Sequence, residues 1–140
     1  MRKNVRLLAA SLAALSLVAT ACGGDDSDSS SDGGGDGIKA GIAFDTGGRG
    51  DGTFNDSAAT GGERATSELG AQVTELEATV DEDRKANLEL LASDGNAVIV
   101  GVGFMFTDPM AEVAAANPDI TFGIVDSVVE AENVKSLVFA

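Results

Sequence analysis

From Ile38 onward the apolar positions switch repeatedly between strand-like and helix-like spacing. Residues 38–44 form a short β-prone run diluted by alanine and glycine. Thr53-Phe54-Asn55-Asp56 then reads as a capping box, with Thr53 as N-cap and Asp56 three residues later. Phe54, Ala58, Gly61, Ala65 and Leu69 fall near one face of the helix this predicts, and Gly70 closes it. Small residues on that face predict close packing on a sheet. Residues 73–76 alternate and predict a strand towards a sheet edge. Asp81-Glu82-Asp83 opens a second helix with Leu88, Leu91 and Ala92 inward and Gly95 as its stop. Residues 97–101 are a continuous apolar run between turn residues, the pattern of a central parallel strand buried on both faces. Thr107-Asp108-Pro109 is a cap followed by proline at the first helical position. Met110, Val113 and Ala114 make that helix's buried stripe, which ends before Pro118; residues 120–125 and 134–139 are two more strands.

The order β-α-β-α-β-α-β-β predicts a parallel sheet covered by helices. Right-handed crossovers make that sheet doubly wound. Asp45, residues 101–106 and Asp126 each follow a different strand, so three loops meet along the carboxyl edge. The first and third strands are the expected flanks of the topological switch point, where open α/β sheets bind their ligands.

The first 37 residues have another character. Arg2, Lys3 and Arg6 precede an apolar stretch, residues 7–18, and Ala19-Thr20-Ala21-Cys22 supplies small residues for cleavage. That is a signal-peptide pattern, and the apolar stretch is shorter than the ~20 residues of a membrane span. Cys22 at the cleavage point resembles a lipobox cysteine, although Ala19 stands where leucine is preferred. Residues 1–21 are therefore expected to be a lipoprotein signal peptide and Cys22 its lipidation site. Residues 23–37 contain only Gly, Asp and Ser. With no apolar side chain to bury they are expected to be a disordered tether. Residues 38–140 remain as one small domain.

Charge and residue usage narrow the chemistry. Of 9 basic residues three lie in the signal, leaving six against 23 acidic ones. Such a surface argues against nucleic-acid or anionic-lipid partners. Histidine is absent and Cys22 is the one cysteine. A Ser-His-Asp triad, a Cys-His pair, a histidine metal site and an intramolecular disulfide are thereby excluded. Carboxylate-only chemistry remains open; no cofactor or metal is expected.

The glycine-rich loop after Asp45 lacks the Gly-Lys-Ser/Thr ending of a P-loop, and its glycines at 47, 48, 50 and 52 miss the dinucleotide spacing. Arg49-Gly50-Asp51 spells an adhesion tripeptide, which chance explains in so glycine-rich a loop. Asp45 and Asp126 each read as a turn-former, a metal ligand or a ligand-binding carboxylate. Phe54, beside glycines at a helix start, is poorly placed for a deep core and reads as either a helix-start staple or a ligand contact. Phe104 and Phe106 share that ambiguity, with at least one expected in the core.

Residues 41–58, which carry Asp45, the glycine loop and Thr53-Phe54-Asn55-Asp56, resemble the opening of the basic membrane protein family of lipoproteins. Those proteins are substrate-binding components of ABC transporters, and well-studied members bind purine nucleosides. Residues 100–108, 118–127 and 133–139 resemble three further signatures of the family, in order; Thr53 stands where serine is commoner. The resemblance implies a type I periplasmic-binding fold of two lobes, roughly two to three times this length. On that basis residues 38–140 are expected to be an incomplete N-terminal lobe, with the second lobe absent. It also implies a lipid-anchored receptor on the extracytoplasmic face of the membrane, passing a purine nucleoside to an ABC permease. Phe54 matches the aromatic that stacks on the base, and Asp45, Asn55 and Asp126 match polar ligand contacts; Gly103 and Phe104 would line the floor. Two other readings stay open, a receptor for another small polar ligand such as a sugar and a surface-tethered, carboxylate-dependent nucleoside hydrolase.

Overall fold

A computed structural model describes residues 37–139. The expected signal peptide, Cys22 and all of the tether except Gly37 lie outside the described residues. Strands β1 (Lys39–Phe44), β2 (Gln72–Glu77), β3 (Val98–Val102), β4 (Thr121–Val125) and β5 (Val134–Leu137) form one sheet in the order β2-β1-β3-β4-β5. Every neighbouring pair is parallel. Helices α1 (Phe54–Leu69), α2 (Asp83–Ser93) and α3 (Thr107–Ala116) fill the crossovers, and a 3₁₀ turn, Phe104–Phe106, precedes α3. The chain steps outward from β1 to β2 and then returns past β1 to β3, β4 and β5. The doubly wound sheet expected from the alternation is present, with its switch point between β1 and β3.

Strand periodicity sends alternate side chains to opposite faces. On one face Ala43, Ile99, Phe122 and Ile124 pack with Leu88 and Leu91 of α2 and Met110 and Val113 of α3. On the other, Ile42, Phe44 and Val102 pack with Ala59 of α1. Contact there is close enough that a Cβ on Gly62 would stand 2.8 Å from Ile42 Cδ1, so glycine sets the helix–sheet distance.

Several local expectations need correcting. The buried positions of α1 are Asn55, Ala59 and Gly62, one step round from the expected stripe; Phe54 is 44% and Leu69 79% exposed. Thr53 precedes α1, yet its hydroxyl caps nothing. Pro109 is the third residue of α3, because the 3₁₀ turn moves the helix start to Thr107. Strand β3 is central, as expected, but Val98 and Val100 are only half-buried on the α1 side. Among the described residues no helix covers that face beyond α1, and Val98, Val100, Val125 and Leu137 border an apolar groove of about 320 Å³.

Strands β4 and β5 are parallel although residues 126–133 between them contain no helix. Val129 from this link is buried in the main core. Asn133 Nδ2 lies 3.1 Å from the carbonyls of Ala114, Asn117 and Ile120, which ties the link to the end of α3. Strand β4 is thereby fixed with its carboxyl end beside that of β3.

Candidate functional site

The carboxyl ends of β1, β3 and β4 meet around a cleft of about 180 Å³. Asp45, Phe54, Asn55, Gly103, Phe104 and Asp126, all singled out in the sequence, line it together with Thr46, Asp51 and Val102. Asp45 follows β1, Gly103 and Phe104 follow β3, and Asp126 follows β4. Phe54 and Asn55 are the first two residues of α1.

Two aspartates shape the glycine loop. Asp51 accepts hydrogen bonds from Thr53 N at 2.8 Å and Thr53 Oγ1 at 2.7 Å, and from the amides of Asn55 and Asp56 at 3.1 Å each. It is therefore Asp51 that satisfies the free amides at the start of α1. Asp56 reaches back to accept from Gly50 N at 2.6 Å and Gly52 N at 2.9 Å. The bonds from Thr53, chiefly its hydroxyl and then its amide, hold the Asp51 carboxyl down at about 2, with smaller help from Asn55 and Asp56 and some opposition from burial. A carboxyl lowered on folding stabilises fully above its unfolded pKa of about 3.8–3.9 and loses that contribution as pH falls towards 2. Asp51→Ala should accordingly melt at a lower temperature than wild type at pH 7. The gap should narrow between about pH 4 and pH 2 in thermal unfolding followed by circular dichroism. A gap independent of pH would mean the carboxylate's charge is not what stabilises the helix start.

The same bonds dispose of the adhesion tripeptide. Asp51 is engaged at the helix start, and Arg49 binds both oxygens of Glu75 at 2.7 Å and Glu63 at 2.8 Å. Those two carboxylates hold the Arg49 guanidinium above its ordinary pKa.

Backbone geometry is unusual at two cleft positions. Gly103 has φ 109° and ψ 154°, a region open essentially to glycine alone, and a Cβ there would stand 3.4 Å from Asp45 Oδ2. Asp126, at φ 63°, is the one non-glycine residue with positive φ among the described residues. Aspartate tolerates this left-handed conformation better than most side chains, and its N–H donates to Leu137 O at 2.8 Å.

The aromatics divide cleanly. Phe106 is fully buried in the core, whereas Phe104 is 61% exposed at the cleft rim. Phe54 is half-exposed, its ring 5.5 Å from that of Phe139 and tilted by 33°. Asn55 is 4% exposed; its backbone amide goes to Asp51, and its side-chain amide enters no hydrogen bond among the described residues.

Asp45 has a partner that the sequence did not reveal. Its Oδ1 accepts from Arg84 Nε at 2.8 Å and Thr46 N at 2.7 Å, and Arg84 Nη2 lies 2.6 Å away. Arg84, on the first turn of α2, is 5% exposed and also donates to Asp81 Oδ1 through Nη1 at 2.8 Å. Burial opposes its charge, but the bonds to Asp81 and Asp45 outweigh that and raise its pKa. The lining of the cleft itself carries the carboxylates of Asp45, Asp51 and Asp126 and no lysine or arginine. Among the described residues no group of three or more His, Cys, Asp or Glu side chains is placed to hold a metal.

A family model described as an ABC transporter substrate-binding protein, PnrA-like, named Bmp, matches residues 38–140. The chain belongs to the Bmp family. An uncharacterized lipoprotein of Pyrococcus abyssi is 46% identical over 91 residues, covering 64% of this Bmp chain and 22% of the relative. An ABC transporter nucleoside-binding protein, BmpA, of Lactococcus lactis subsp. cremoris is 32% identical over 142 residues, covering 96% of this chain and 40% of the relative. The Bmp chain thus spans well under half the length of these relatives. Among solved structures, an ABC transporter solute-binding protein of Aeropyrum pernix K1 superposes with a TM-score of 0.66 at 34% identity, over 71% of this chain and 28% of that one. A second, from Conexibacter woesei DSM 14684, gives 0.61 at 28% identity over 71% of this chain and 34% of that one.

Proposed function

We propose that this Bmp-family chain supplies one wall of a purine-nucleoside receptor, which captures its ligand outside the cell and passes it to an ABC permease. The observation that carries this reading is the half-exposed ring of Phe54, standing in one cleft with the amide of Asn55 and the carboxylates of Asp45 and Asp126. An aromatic face takes a base by stacking, worth about 1–3 kcal/mol. An amide both donates to and accepts from a base edge, and carboxylates accept from ribose hydroxyls or ring N–H groups. The name of the Lactococcus relative supports the nucleoside, and the names of the Pyrococcus relatives support attachment through a lipidated Cys22. Residues 22–37 then link the anchor to the domain. At about 180 Å³ the cleft is smaller than the ~300–1,000 Å³ of sites that enclose a ligand, consistent with one wall of a two-sided site. Binding without turnover is the reaction class that the family and the lack of histidine favour.

Calorimetry on the full-length gene product tests the assignment. Inosine, adenosine or guanosine should bind at least tenfold more tightly than ribose, which has no base to stack. Their 5′-monophosphates should also bind at least tenfold more weakly, since a phosphate would meet an acidic lining with no cation in it. The bound nucleoside should be recovered unchanged. Tighter binding of a sugar than of any nucleoside would turn the assignment to a sugar receptor, and release of free base would turn it to a hydrolase.

A further inference from the structure

Arg84 stands where an arginine is hard to justify by stability. It is 5% exposed, so its charge has been taken out of water, a loss that ion pairing offsets only in part. It also occupies the first turn of α2, the end of a helix that disfavours positive charge. Its partner Asp81 is at the surface, with a side chain 80% exposed, and could pair with an exposed cation at far less cost. What Arg84 reaches by lying here is Asp45, 39 positions earlier in the chain and just after the neighbouring strand β1.

The geometry of that contact is one-sided. Arg84 Nε, Arg84 Nη2 and Thr46 N all converge on Oδ1 of Asp45. No hydrogen bond among the described residues uses Oδ2, which lies beside Gly103 in the lining of the cleft. Two guanidinium donors on one oxygen hold Oδ1 in place, and with the backbone fixed this sets where Oδ2 lies, which a lysine ammonium on a flexible stem does less well. It also brings positive charge behind a cleft whose lining holds two further carboxylates, Asp51 and Asp126.

We propose that Arg84 is a positioning residue for ligand binding, holding Asp45 by Oδ1 so that Oδ2 is presented to the ligand in one fixed orientation. This rests on reading the cleft as the ligand site, and the test separates the two. In the full-length gene product, Arg84→Met should weaken inosine binding at least tenfold, and Arg84→Lys should restore only part of the loss. In an Asp45→Ala background, Arg84→Met should cost less than a further twofold, because the group it orients is already gone. Without ligand, the amide resonances of Thr46 and Gly103 should move in Arg84→Met and Arg84→Lys. They should stay in place in Asp81→Asn, which removes the surface partner alone. Wild-type affinity in Arg84→Met, equal losses in both backgrounds, or unmoved Thr46 and Gly103 amides would each overturn the proposal. If Arg84→Met does not fold, Arg84→Lys carries both measurements. Should wild type bind no inosine, the nucleoside reading fails, and the ligand-free resonances still decide whether Arg84 holds Asp45.

Discussion

Phe54→Ala is expected to weaken purine-nucleoside binding by about fivefold or more, the lower end of the ~1–3 kcal/mol of a base–aromatic stack. Stability should change little, since Phe54 is 44% exposed at the start of α1 and belongs to neither core cluster. Phe106 provides the internal contrast. Its ring is fully buried among the residues of α2, α3, β3 and β4, and truncating a buried phenylalanine costs ~3–5 kcal/mol. Calorimetry and a denaturation curve on the two variants should therefore give opposite patterns, affinity lost with the fold intact for Phe54→Ala and the fold lost for Phe106→Ala. A Phe54→Ala protein that binds normally but unfolds early would make Phe54 a helix-start staple and remove the base-stacking surface from the cleft.

Cys22→Ser is expected to change where the protein is found. A lipoprotein cysteine carries two acyl chains on its thioether-linked glycerol. At ~0.8 kcal/mol per buried methylene two chains hold firmly where one is marginal. After export the wild type should partition into the detergent phase, while Cys22→Ser should appear in the medium or remain uncleaved. Equal partitioning of the two cleaved proteins would rule out the anchor. The acidic composition makes the contrast sharp, because such a surface offers anionic lipids no attraction of its own.

The fold was legible wherever apolar residues were large and patterned. Runs such as residues 97–101 and the Leu88/Leu91 pair locate strands and helices, and the alternation then dictates a parallel sheet with Asp45, Gly103 and Asp126 at one edge. Legibility failed where side chains are small or polar. In α1 the inward face is Asn55, Ala59 and Gly62, residues with almost no hydrophobic contrast, so the period alone selected the neighbouring stripe. Thr53 matched a capping pattern, but Asp51 sits two residues earlier and its ionised carboxylate takes the amides instead. The open face of β3 was hidden because burial on both sides depends on what else covers the sheet, which a single apolar run does not encode. Arg84 left no local signal, since its partner Asp45 is brought to it by the crossing of β1 and α2.

The contact between Phe54 and Phe139 alters what capture of a flat ligand means. Carbon atoms pack at about 3.5–4.0 Å, so a base inserted between two rings needs their centroids about 7 Å apart. Phe54 and Phe139 are 5.5 Å apart, already in contact with each other. A base arriving on that face displaces one aromatic neighbour and takes its place. The gain is then a difference between two stacks, reduced by the ~0.5–1.5 kcal/mol that an aromatic pair contributes. Until such an exchange, the chain's own Phe139 shields part of the Phe54 ring.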